Sequence, residues 1–147
     1  MKNALFLLIA CFLFVQVAEA KKLPSAAQQT KVKRLTGTYR SRTGEFKVQG
    51  LGVNRLHVQF NGTYEYKLGR ELMANTGTAD AMVQLKGNVA NFVPPDTHGC
   101  SISLTFVGNK LVVRQTGSDS DCGFGHNVTA DGTYIKRSSR PPKFDEQ

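Results

Sequence analysis

The chain predicts an all-β fold, a single antiparallel meander of about 8–10 strands closing into a small barrel or a curled sandwich. Three observations lead there. Short turn pairs punctuate the sequence at Thr43-Gly44, Asn61-Gly62, Gly87-Asn88, Gly108-Asn109 and Asp131-Gly132. Asn-Gly and Asp-Gly readily take the positive φ values that tight hairpin turns require. Between these pairs apolar and polar residues alternate, the period of a sheet with one wet face. Only 69–75 has room for a short helical turn. Hairpin-linked strands in such number favour closure, because closure removes exposed edges.

Taken in order, strands are expected near 36–41, 45–51, 55–61, 63–68, 78–86, 88–93, 100–107, 110–116, 125–130 and 133–137. In 55–61, Leu56, Val58 and Phe60 fall on one face with His57 and Gln59 on the other. Ala79, Ala81, Val83 and Leu85 repeat the pattern, as do Cys100, Ile102, Leu104 and Phe106. Gly-Thr-Tyr occurs at 37–39, 62–64 and 132–134, but the unequal spacing shares no period. Each copy reads as a turn glycine followed by two good strand residues.

The flanks carry different signals. Lys2, the apolar run Ala4–Val17 and Ala18-Glu19-Ala20 form the charged, apolar and cleavage regions of a signal peptide over 1–20. The apolar run is too short for a membrane span. Leu8-Ile9-Ala10-Cys11 also fits a lipidation signal at Cys11, though it would leave an apolar region of only about seven residues. Residues 21–34 lack periodicity and read as a flexible basic leader, 35–137 as the β-barrel domain, and 138–147, with Pro141-Pro142, as an extended tail.

Export sets the meaning of the cysteines. Cys11 leaves with the signal, and Cys100 and Cys122 remain in an oxidising compartment, where a disulfide is expected. It would close a loop of about 20 residues, adding about 3 kcal/mol on chain entropy. Zinc is the rival, from His98, Cys100, Cys122 and His126, but the spacings fall outside the common ligand patterns. Asp119 and Asp121 resemble the start of a calcium loop, whose twelfth position wants an acid where Ala130 stands. No metal or other cofactor is expected. His98, Asp119, Asp121 and His126 make the one cluster resembling an acid–base site, with the ordinary loop reading favoured and no catalytic residue assigned. Asn61-Gly-Thr63 and Asn127-Val-Thr129 fit the glycosylation sequon.

The net charge is +8, and removing the signal takes Lys2 and Glu19 together, leaving it unchanged. Lys31, Lys33, Arg34, Arg40, Arg42 and Lys47 crowd a stretch whose only acid is Glu45. Lys136, Arg137, Arg140 and Lys143 form a second group, and pairing of the first and last strands would merge the two into one basic face. Such a face suits an anionic envelope component or an acidic protein. Nucleic acid is disfavoured, because no helix-turn-helix, zinc-finger spacing or aromatic ladder accompanies the charge.

The segments LKGNVANF, CSISLTF, GNKLVVRQTG and CGFGHNVTADGTYIK form a further pattern. It resembles a family of small exported bacterial proteins of uncertain function, marked by Cys-Gly-Phe-Gly, a following Val-x-Ala-Asp-Gly-x-Tyr and an upstream partner cysteine. Similar modules occur beside lysozyme-inhibitor-type domains, but the cysteine-rich inhibitor module is absent here. The resemblance implies an exported all-β protein and supplies no catalytic residues. The expected function is therefore a non-enzymatic periplasmic or secreted binding protein using its basic face. The alternatives are a small-ligand carrier lined by Phe60, Tyr64 and Tyr66, or an inhibitor of a cell-wall hydrolase inserting the 117–125 loop.

Overall fold

A computed structural model describes residues 26–146. The signal peptide expected over 1–20, Cys11 with it, and leader residues 21–25 lie outside the described residues. From Ala26 the leader is helical rather than flexible: α1 spans Ala26–Leu35. Ala, Gln, Lys, Arg and Leu are good helix formers, and Val32 and Leu35, three apart, supply two anchors on one face. Two anchors are too few to announce a helix by periodicity. Val32 is nonetheless buried, and it lies against Gly50 so closely that a Cβ there would sit 2.6 Å from the Val32 carbonyl.

Eight strands follow: β1 (Gly37–Arg40), β2 (Gly44–Gly50), β3 (Arg55–Leu68), β4 (Glu71–Lys86), β5 (Val89–Phe92), β6 (Ser101–Val107), β7 (Lys110–Thr116) and β8 (Gly132–Ser138). Each pairs antiparallel with its neighbour, and β8 returns to β1 through Tyr39↔Lys136 and Arg40↔Ile135, closing the barrel. Eight strands leave an interior that side chains can just fill. Here aromatic rings fill it: Phe46 lies 4.8 Å from Phe60 and 4.9 Å from Tyr134, and Tyr39 lies 6.0 Å from Phe106. The alternation read from the sequence is the observed one, with Leu56, Val58, Phe60, Ile102, Leu104 and Phe106 buried.

Three expected elements change. Asn61-Gly62 is not a turn, and the strands expected at 55–61 and 63–68 are one strand, β3. At that point the chain has neighbours on both sides, Glu45 of β2 and Thr78 of β4 opposite Asn61, so continuing the ladder gains bonds a turn would forfeit. The segment 69–75, which had room for a short helical turn, is a two-residue turn at Gly69-Arg70 followed by the start of β4. The strand expected over 125–130 is irregular chain, because Asn127 takes a φ of 64° and the segment plugs the barrel mouth instead of pairing.

The result is an arm. Residues 63–76 of the β3–β4 hairpin run past the last β2 partner, Gly62↔Gly44, as a two-stranded ribbon. At its root, Gly62 and Gly77 face each other across the ladder. A Cβ on Gly77 would lie 2.8 Å from Phe124, and one on Gly62 2.5 Å from Phe60 and 2.9 Å from Val128. The missing side chains are what let Phe124 and Val128 seat over the core.

Two of the three Gly-Thr-Tyr copies are structurally equivalent after all. Tyr39 Oη donates to the Leu35 carbonyl and Tyr134 Oη to the Ala130 carbonyl, each 2.9 Å away and four residues upstream. Gly37 and Gly132 share φ values of 149° and 142°. Each copy therefore fastens the start of a strand to the chain that precedes it. Burial pushes both phenols up to about 12. A raised phenol contributes stability fully below its ordinary 10.0 and loses it as pH climbs toward 12. Tyr134→Phe is expected to cost about 1–2 kcal/mol at neutral pH and to shrink the alkaline loss. Urea unfolding at about pH 7 and about pH 11 measures both effects.

Candidate binding site

The two ends of the barrel differ in chemistry. At one end α1 lies across the strand ends, and between it and the β6–β7 turn and β8 opens a cleft of about 790 Å³. Lys31, Lys33, Arg34 and Lys136 line it together with Asn109 and Ser139, and no carboxylate does so among the described residues. Lys31, Lys33 and Arg34 of the first basic group thus meet Lys136 of the second at this end. Lys136 Nζ donates to the Arg34 carbonyl at 2.6 Å and stands over the Tyr39 ring at 5.6 Å. That bond satisfies one of the last carbonyls of the helix. Burial holds the Lys136 ammonium below its ordinary value. Lys31, Lys33 and Arg34 are exposed and form no ion pair among the described residues.

The other three expected cations are elsewhere. Arg40 pairs with Glu45. Arg42 sits on the β1–β2 turn at the opposite end, beside Thr63, Tyr64 and Glu65 of the arm. Lys47 is tied to Asp145 at 2.6 Å and keeps only 13% of its side chain exposed. The basic face is therefore smaller than the charge run suggested, and it is centred on α1 and β8.

At the arm end, Cys100 and Cys122 are joined in a disulfide that fixes the loop between β7 and β8. Their pairing removes both sulfurs from any zinc site. Among the described residues, no three His, Cys, Asp or Glu side chains lie close enough to hold a metal ion. Asp119 accepts the amides of Asn127 at 2.6 Å and Ser120 at 2.7 Å, and Asp121 accepts the amide and hydroxyl of Ser118. The Asn127 amide, then that of Ser120, holds Asp119 below its ordinary value, and the Ser118 amide does the same for Asp121. These carboxylates cap backbone groups, and a lowered pKa suits that work rather than proton donation near neutrality. His126 stands 3.5 Å from Asp119 with 82% of its side chain exposed, and His98 is exposed on the preceding loop without joining them. The four residues that resembled an acid–base cluster thus provide a single His126–Asp119 contact on a structural turn.

The carrier reading loses its lining residues. Phe60 is fully buried in the packed core, while Tyr64 and Tyr66 lie on the arm, stacked 6.2 Å apart outside the barrel. Sequence reasoning missed the arm because Asn61-Gly62 imitates a hairpin turn. Its exposed tip carries Leu68 and Leu72, each 66% exposed.

The sequence marks an extended tail but not where it lies. Residues 139–146 have no helix or strand, yet they fold back along the outer face of β2 and β3. The Phe144 ring stacks on His57 at 3.6 Å. Among the described residues, no helix is long and apolar enough to cross a membrane. Compared with protein-family models, curated proteins and solved structures, the chain matches none.

Proposed function

We propose that this chain is an exported, non-enzymatic binding protein that takes an anionic envelope component into the cleft between α1 and β8. The observation that supports this is a concave surface carrying Lys31, Lys33, Arg34 and Lys136, with no carboxylate among the described residues that line it. Cations in a walled cleft focus the field and attract anions more strongly than the same charges on a flat surface. Three of the four form no ion pair among the described residues, so an anion meets none there that must first break. The signal pattern over 1–20 and the Cys100–Cys122 bridge support export.

The test is charge reversal. Lys31→Glu, Lys33→Glu and Arg34→Glu together are expected to weaken binding to phosphatidylglycerol vesicles about a hundred-fold or more, at roughly 1 kcal/mol for each cation lost near an anionic surface. These side chains are exposed, so the melting temperature should stay near that of the parent. Sedimentation of vesicles with bound protein reads the affinity. Equal binding by parent and variant would sink the proposal.

One observation favours a second reading, inhibition of a cell-wall hydrolase by the 117–125 loop. The loop is held in one conformation by the disulfide and by Asp119 and Asp121, and Ser118, Ser120 and Gly123 are exposed on it. Rigid loops bind clefts at low entropic cost. This reading expects the parent chain to inhibit a muramidase, with inhibition lost when residues 118–121 become alanine. A parent chain that inhibits nothing ends it.

A further inference from the structure

The tail contact is more specific than a tail lying on a surface needs to be. Lys47 of β2, Gln59 of β3 and Asp80 of β4 stand in one row, directly opposite one another in register. All three project outward, where an antiparallel barrel ordinarily meets water. Gln59 is nevertheless fully buried, beneath the tail. Its side-chain amide reads the backbone of one residue: Oε1 accepts the Asp145 N–H at 3.0 Å, and Nε2 donates to the Asp145 carbonyl at 2.9 Å. The same Nε2 donates to Asp80 at 3.2 Å, and Asp80 is held by His57 at 2.7 Å. The side chain of Asp145 is read separately, by Lys47 Nζ at 2.6 Å and Asn61 Nδ2 at 3.0 Å. The residue before it, Phe144, lies flat on the His57 ring, 18° from parallel.

We propose that this face is a peptide-recognition site for an extended acidic segment carrying an aromatic residue followed by aspartate, and that Phe144-Asp145 is its occupant in cis. Each part has a separate task. Gln59 docks any extended backbone, as strand-addition sites do with main-chain bonds. Lys47 and Asn61 select a carboxylate through charge-assisted bonds. His57, oriented by Asp80, selects a flat ring one position earlier. Pro141-Pro142 keeps the tether extended and unable to pair as another strand. The partner that this chemistry fits is an acidic protein segment, which the +8 charge of the chain attracts at long range. A short tether gives the tail a millimolar-range effective concentration, so a partner displaces it only when anchored elsewhere as well or locally concentrated. The site lies on the barrel wall, and its failure would leave the cleft at α1 untouched.

The experiment uses the full chain and a fluorescent peptide with the sequence of residues 140–146, RPPKFDE. The parent is expected to bind it weakly, because its own tail competes. The F144S/D145S chain, with its site open, should bind at least about ten-fold more tightly, and Gln59→Leu added to it should remove that gain. A peptide with the Phe and Asp exchanged should not bind the open chain. Asp145→Asn alone, which removes only the charge, should give an intermediate gain and serves if the double variant does not fold. The proposal is overturned if a folded open chain binds no better than the parent, or binds both peptide orders equally.

Discussion

Phe60→Ala is expected to be the most damaging single substitution in the barrel, costing about 3–5 kcal/mol. Phe60 is fully buried and touches two otherwise separate groups. Inward it meets Phe46 at 4.8 Å, and through Phe46 the Tyr134 ring; toward the mouth it meets Phe124 at 5.3 Å. Truncation leaves a void between core and plug. Phe46 and Tyr134 are held by strands and Phe124 by the disulfide-bridged loop, so the site collapses little to refill the space. Most small domains have only about 5–15 kcal/mol in hand, so the loss is a large share of the total. Urea unfolding with an unchanged slope and a lowered midpoint checks it. A loss below about 1 kcal/mol would mean that the mouth is looser than the ring contacts imply.

Replacing Cys100 and Cys122 together by alanine is expected to cost about 3 kcal/mol, the loop-closure value for a bridge of sequence separation 22. The effect should be local before it is global. Cys122 and Phe124 enter the barrel mouth side by side, and Gly125 donates to the Thr76 carbonyl at the root of the arm. Without the bridge, the loop is retained by the packing of Phe124 against Phe60 and Gly77 and by few bonds to the strands, such as Gly125 N–H to the Thr76 carbonyl, so it should open ahead of them. Hydrogen exchange of Gly125 and Val128 amides should then accelerate well before that of β6 and β7. Uniform acceleration across all strands would contradict a separately anchored plug.

Much of this architecture was legible because it rests on local rules. Period-two alternation marked Leu56–Phe60 and Ile102–Phe106 correctly, since a barrel wall imposes that period on every strand. Gly87-Asn88 and Gly108-Asn109 are turns where the sequence placed them. Cys100–Cys122 was legible from the count of cysteines beyond the signal pattern. The errors arose where tertiary neighbours overrode a local signal. Asn61-Gly62 has turn chemistry but ladder partners on both sides, and Val128 and Ala130 look like a strand but serve as a plug. The site was legible only in part for the same reason. Lys31, Lys33, Arg34 and Lys136 converge because β8 closes on β1, whereas Lys47 was already claimed by Asp145, far away in sequence. No spacing rule connects Gln59 with a tail that begins after β8.

The cleft between α1 and β8 is tested most directly by a titration of the isotopically labelled chain with short-chain phosphatidylglycerol, followed amide by amide. Shift changes are expected to concentrate in residues 30–36, 108–109 and 136–139 and to reverse at about 0.5 M salt, where screening lengths fall to a few ångströms. Changes centred on the arm at 63–76 or on the loop at 117–125, or changes indifferent to salt, would contradict binding in the cleft.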